Sequence, residues 1–299
     1  MRRSLAVTSL LVLLAAATGC EEDGAGRELN DAERLLIQRA EQSLVKECME
    51  DAGFAYWAAE LPDEEELKGS GYVLTDPGWA GRHGYGSRFQ DRLERRQRED
   101  RNHAYANALP EDDRVRYGRA LEGGPSGGML RAALPAGGTV QTPRQGCQAA
   151  AKGALYGDFE AWFKAEKTAT NLSALYLPQL LADPRFTAAL GAWAGCMREA
   201  GHDYADPPAA REALPKLIEG LVPEQAYAVE VDLAVTEATC ATETPLATTA
   251  RALESEYRER QLDRYGEDIA TYERLGVAAL ARAERITGSS TTPAPTTKE

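Results

Sequence analysis

The same nine-residue word stands twice in the chain. Cys48-Met49-Glu50-Asp51-Ala52-Gly53-Phe54-Ala55-Tyr56 aligns without gaps on Cys196-Met197-Arg198-Glu199-Ala200-Gly201-His202-Asp203-Tyr204, with Cys, Met, Ala, Gly and Tyr identical in place. Each copy ends a stretch whose apolar residues recur at helical spacing: Leu35, Leu36, Leu44 and Val45 before the first, Phe186, Leu190 and Trp193 before the second. Glycine suits the position just past a helix because it enters the left-handed region without a steric penalty. Downstream of each copy comes a Pro-Glu pair that can open a helix, Pro110-Glu111 and Pro223-Glu224, then Tyr117 or Tyr227, then a second cysteine, Cys147 or Cys240. This order of features predicts two helical pseudo-repeats, residues 31–170 and 171–286.

The expected fold class is therefore all-α, mainly helical and disulfide-stabilised, with minor short strands in loops. Asp31 is the expected N-cap of the first helix. The first repeat carries two insertions, residues 69–86 and 123–146, rich in Gly and read as loops with short strands at Tyr72-Val73-Leu74 and Thr139-Val140. Between them, residues 88–109 interleave arginine and acid as one charged, solvated helix. Leu262, Tyr265, Ile269, Tyr272, Gly276, Ala279, Ala283 and Ile286 form a seam of three-four spacing, expected to pack inside a helical bundle. Residues 287–299 are Ser, Thr and Pro-rich and read as a disordered tail.

The amino terminus is of another kind. Arg2 and Arg3 precede an almost unbroken apolar run that closes at Thr18-Gly19-Cys20 and is followed by Glu21-Glu22-Asp23. Such a run is too short to cross a bilayer, which needs about 20 apolar residues, and reads as a signal peptide over residues 1–19. Ala17-Thr18-Gly19-Cys20 resembles the lipobox of bacterial lipoproteins, although the usual leucine is missing from its first position. The resemblance implies lipid attachment at Cys20, a tether over residues 20–30 and anchorage on the outer face of the cell membrane. Two acyl chains, unlike one, give a stable anchor. Of the five cysteines, this leaves Cys48, Cys147, Cys196 and Cys240, an even set for an oxidising compartment. Four cysteines allow three connectivities; the symmetry of the repeats favours Cys48–Cys147 and Cys196–Cys240. The net charge is −13, and removal of Arg2 and Arg3 makes it two units more negative. An acidic surface argues against nucleic acid as a partner.

Chemical motifs are sparse. Gly124-Pro125-Ser126-Gly127-Gly128 satisfies the letter of the nucleophile elbow, but that turn requires a strand before the serine and a helix after it. The lead-in here reads as helix. The three histidines, His83, His103 and His202, lack metal-ligand spacing, so no metal and no cofactor is expected. His202 reads as a half-buried structural histidine. Trp79 with His83-Gly84-Tyr85-Gly86 is the most unusual local cluster, and Trp79, His83 and Tyr85 are the candidate ligand surface, with packing of a loop on a helical core as the competing reading.

The repeated C-M-x-x-x-G-x-x-Y word followed by later cysteines resembles a group of secreted lipoproteins of high-GC bacteria. The likeness covers residues 45–57 and 193–205 and implies location and a disulfide-stabilised helical fold, with no particular activity. The expected function is that of a membrane-anchored, non-enzymatic binding or interaction module, with an envelope protein, an envelope polymer or a small ligand as partner. The alternative is an extracytoplasmic hydrolase using carboxylates or Ser126.

Overall fold

The computed structural model describes residues 26–69 and 71–289. Cys20, the signal segment and residues 290–299 lie outside the described residues. Helix α1 (Asp31–Asp51) starts at the expected cap residue itself, so the cap falls one residue earlier, on Asn30. Asn30 accepts the Glu33 amide at 2.9 Å while the Glu33 carboxylate accepts the Asn30 amide at 2.9 Å, a reciprocal capping box. At its other end the Gly53 amide donates to Glu50 O and the Phe54 amide to Met49 O, with Gly53 at φ +85°. That is a Schellman ending.

Helices α2 (Glu64–Leu67), α3 (Pro77–His83), α4 (Ser87–Arg98), α5 (Arg101–Ala108) and α6 (Glu111–Glu122) follow. The single helix expected over 88–109 is thus two. Asp100 breaks it, because its carboxylate accepts the Asn102 amide at 2.8 Å and caps α5. A hairpin comes next, β1 (Met129–Ala133) antiparallel to β2 (Thr139–Pro143), with Leu130 opposite Thr142. Thr139 and Val140 lie in β2 as expected. β1 was not foreseen, since Met129-Leu130-Arg131-Ala132-Ala133 has no β-branched residue to signal a strand. Tyr72-Val73-Leu74 is not a strand. The Leu74 amide points 3.4 Å from a side-chain carboxylate, that of Glu237, rather than into a ladder.

The remaining helices are α7 (Cys147–Tyr156), α8 (Phe159–Ala169), α9 (Ser173–Leu181), α10 (Pro184–Glu199), α11 (Pro207–Leu217), α12 (Pro223–Glu243), α13 (Leu246–Glu259) and α14 (Leu262–Thr287). The fold is mainly α, as the spacing predicts. α10 ends as α1 does: the Gly201 amide donates to Arg198 O and the His202 amide to Met197 O, with Gly201 at φ +90°. Met49 and Met197 are fully buried at equivalent places in the two words. The disulfides are Cys48–Cys147, joining α1 to α7, and Cys196–Cys240, joining α10 to α12. Their sequence separations of 99 and 44 residues correspond to about 4–5 kcal/mol each on the chain-entropy model.

Two principal cores form. One gathers Leu36, Ile37, Leu130, Leu155, Phe163 and the α14 residues Leu275, Ala279, Leu280 and Ala283. The other gathers Leu180, Phe186, Trp193, Met197, Leu233, Leu246 and Leu253 with Ile269, also from α14. The seam of α14 packs within the molecule from Tyr265 to Ala283, its amino-terminal part on the second core and the rest on the first, whereas the expected end residues Leu262 and Ile286 are exposed. Its small residues permit close approach; a Cβ on Gly276 would lie 3.3 Å from Leu29. Segments 31–170 and 171–286 therefore do not each close on their own core. Traffic runs the other way too, because Leu74, Trp79 and Ala80 pack on Ala234 and Ala238 of α12.

Candidate functional site: a cleft behind a clamped strap

The Trp79–Tyr85 cluster is held from below by α12. Asp76 caps α3 by accepting the Trp79 amide at 2.8 Å, and Pro77 occupies the first helical position. Trp79 is only 1% exposed, and its indole donates to Glu65 O at 2.8 Å. The His83, Trp79 and Phe89 rings form a cluster, with the His83 centroid 5.1 and 4.8 Å from the other two and its Nε2 3.5 Å from Glu65 Oε2. Gly84 stands at φ +60°, and a Cβ there would lie 2.7 Å from the Glu230 carboxylate. Past that close approach, the Tyr85 and Ser87 amides donate to Glu230 Oε1 at 2.8 and 3.1 Å, and the Ser87 hydroxyl donates to Oε2. Tyr85 reaches on to donate its hydroxyl to Glu237 Oε2 at 2.8 Å. Burial, then the charge of Glu237, pushes its phenol well above the ordinary tyrosine value. The candidate surface is thus mostly an anchor. Trp79 and His83 meet, with Phe89 against both, and Tyr85 turns to α12.

Glu237 has no exposed surface and is the hub of this region. Arg211 of α11 donates Nη2 to its Oε1 at 2.6 Å and Nε to its Oε2 at 3.3 Å, while Arg211 Nη1 donates to Gly71 O at 2.8 Å. With the Leu74 amide on Glu237, residues 71–74 are tied at both ends to this part-buried ion pair. Composition could not reveal Glu230 and Glu237 among 47 acidic residues. A finer signal existed: they sit seven apart on a helix whose intervening face, Leu233, Ala234 and Ala238, is apolar and buried.

The clamped strap forms one wall of a cleft of about 570 Å³. Tyr72 and Val73 line it from the strap; Leu177, Leu180 and Leu181 line it from α9, with Phe186 from α10. Tyr72 meets Phe186 edge-on at 5.8 Å. α13 supplies the third wall through Ala247, Ala250, Arg251, Glu254, Ser255 and Arg258. Those positions share one face of a helix, three and four residues apart. Tyr176 donates its hydroxyl to Glu254, and Arg258 stands 3.6 Å from Glu28. The volume falls in the range of about 300–1,000 Å³ typical of small-molecule sites, and the lining is mainly apolar.

Elsewhere the chemistry is thinner. Ser126 lies in a 3₁₀ turn (Pro125–Gly127) between α6 and β1, so helix precedes it and strand follows, the reverse of a nucleophile elbow. The cavity it lines contains no histidine and no carboxylate. His202 stacks near Tyr204 and has Nε2 3.8 Å from Asp232 Oδ2. Among the described residues no cluster of His, Cys, Asp and Glu has metal-binding geometry, and no helix is long and apolar enough to cross a membrane. Compared with known protein families, with curated proteins and with solved structures, the chain matches none.

Proposed function

We propose that this chain is an exported lipoprotein, held by lipid on Cys20 at the outer face of the cell membrane, that binds a small, largely apolar ligand in the cleft between residues 71–75 and helices α9, α10 and α13. The cleft carries the reading: it is of ligand size, and its walls come from both segments of the chain. Its strap is fixed in advance by the Arg211–Glu237 pair, so little ordering remains to oppose binding. The two disulfides suit the oxidising compartment that export implies. A duplication origin for the two segments is part of the proposal. It is supported by the identical Schellman endings of α1 and α10, each one turn beyond a bridged cysteine.

The test is binding by the exported Cys20→Ala chain, which lacks the lipid site and is recovered from the medium. A neutral solvatochromic dye is titrated into it and into Cys20→Ala/Ala250→Trp, where the indole fills the cleft. Saturable binding that the second variant loses, at an unchanged circular dichroism spectrum, is the expected result. Retention of the Cys20→Ala chain on cells would remove the lipid anchor from the proposal; dye binding indifferent to Ala250→Trp would remove the cleft.

A further inference from the structure

The cleft is not uniform along its length, and its gradient speaks to the ligand. We infer that its occupant is an amphiphile with an apolar body and a single anionic headgroup, an inference that rests on the binding reading above. The wall contributed by α13 begins with Ala247 and Ala250 and ends with Arg251, Glu254, Ser255 and Arg258. At 1.5 Å per residue, Ala247 and Arg258 stand roughly 16 Å apart along the helix axis. The small side chains at the alanine end leave room beside Leu180 and Phe186, both buried, so this end takes hydrocarbon. The other end is polar and open to water.

The charges at that open end are unequally committed. Glu254 accepts from the Tyr176 hydroxyl, and Arg258 faces Glu28 at 3.6 Å. Arg251 is exposed, and its side chain has no hydrogen bond, ion pair or ring contact among the described residues. Like several other arginines of this acidic chain it is not paired with a carboxylate, and it lines a mainly apolar cleft. A guanidinium in that position matches a carboxylate, sulfate or phosphate head. It also disfavours an ammonium head, while a neutral head gains nothing from it.

The experiment uses three probes with one tail: decanoate, decanol and decylammonium, titrated by calorimetry into the Cys20→Ala chain and its variants. Decanoate is expected to bind at least tenfold more tightly than decanol, with decylammonium weakest. Arg251→Gln, a surface change that leaves the fold intact, should bring decanoate down to the level of decanol. Arg251→Glu should turn the preference toward decylammonium, and Ala250→Trp should remove all binding. Equal affinity for decanoate and decanol, unmoved by Arg251→Gln, overturns the headgroup inference and leaves the apolar cleft standing. Decanoate binding that survives Ala250→Trp places the site elsewhere and overturns the inference as well. Failure of all three probes to bind overturns the binding reading itself.

Discussion

A buried and a half-buried tyrosine with opposite surroundings separate the worth of a hydroxyl from the worth of its ring. Tyr117 packs edge-on against Phe54 and near Tyr105, with ring centroids 5.4 and 5.9 Å away. Its hydroxyl is buried and has no partner, and burial pushes its pKa up to about 12. An unpaired buried hydroxyl opposes folding by about 1–3 kcal/mol, so Tyr117→Phe is expected to leave stability unchanged or raise it. Tyr85 donates to Glu237, and Tyr85→Phe removes one partner of a buried carboxylate, a loss of about 1–3 kcal/mol. Urea unfolding of the two variants in parallel distinguishes them; equal losses would contradict the assigned partners. Arg211→Ala goes further, because it strands a fully buried charge. The expected loss is about 3–5 kcal/mol, with the strap at residues 71–74 gaining amide exchange before the rest of the molecule. The spacing of Glu230 and Glu237 on an apolar face was legible in the sequence, but their partners were not. A tyrosine or glutamate acquires its role from what lies across the fold, here 152 positions away for Tyr85 and Glu237.

Local elements were easier to read, and the reasons are local. Glycine past a helix, proline at its start and apolar residues at three-four spacing act within a turn or two, so α1, α10, α12 and α14 stand where the pattern puts them. Errors arose where two local signals compete. Asp100 could continue a charged helix or cap a new one, and its carboxylate does the second. Tyr72-Val73-Leu74 has strand-forming residues but no neighbouring strand to pair with, so a glutamate takes its amide. Trp79, His83 and Tyr85, the candidate ligand surface, sit on a segment held to α12. The aromatics of residues 79–85 are the anchor, while the strap eight residues earlier carries the cleft wall. The shared helix endings give a direct test of element chemistry. Gly53 and Gly201 both hold positive φ with open space where a Cβ would go, so the penalty for substitution is conformational alone. Gly53→Ala and Gly201→Ala should each cost about 1–2 kcal/mol, and asparagine at either position should cost less. A difference between the two sites larger than that penalty would mean the endings are not equivalent. Thermal unfolding at matched pH reads it.

For the molecule as a whole, the question is what ties two cores into one cooperative unit, and buried carboxylates at helix starts supply part of the answer. Glu33 at the start of α1 takes a two-pronged donation from Arg27 at 2.6 and 2.7 Å, and that hydrogen bonding holds its carboxyl below the usual range. Asp183 caps α10 and is gripped by the Arg185 guanidinium and amide, which hold its carboxyl far below the usual range; Tyr257 of α13 adds a longer contact at 3.3 Å. One carboxylate serves each core. Exposed carboxylates whose pKa is also lowered, such as Glu65 and Glu160, are screened by solvent and contribute little. In the unfolded chain Asp and Glu titrate near about 3.9 and 4.3. Because the folded values lie lower, the stability from Glu33 and Asp183 is complete above roughly pH 5 and is lost as the pH falls through the folded values. The urea midpoint should therefore be level from pH 7 to about 5 and drop below about 4. Glu33→Gln with Asp183→Asn retains the helix caps and removes the titration, so its midpoint should start lower at pH 7 and fall less steeply into acid. The single variants carry the information about coupling. If α14, seated in both cores, makes the molecule unfold as one, Glu33→Gln and Asp183→Asn will each lower a single transition seen alike by tryptophan fluorescence and far-ultraviolet dichroism. Two separated transitions, each shifted by only one of the substitutions, would show that the cores unfold independently despite the shared helix.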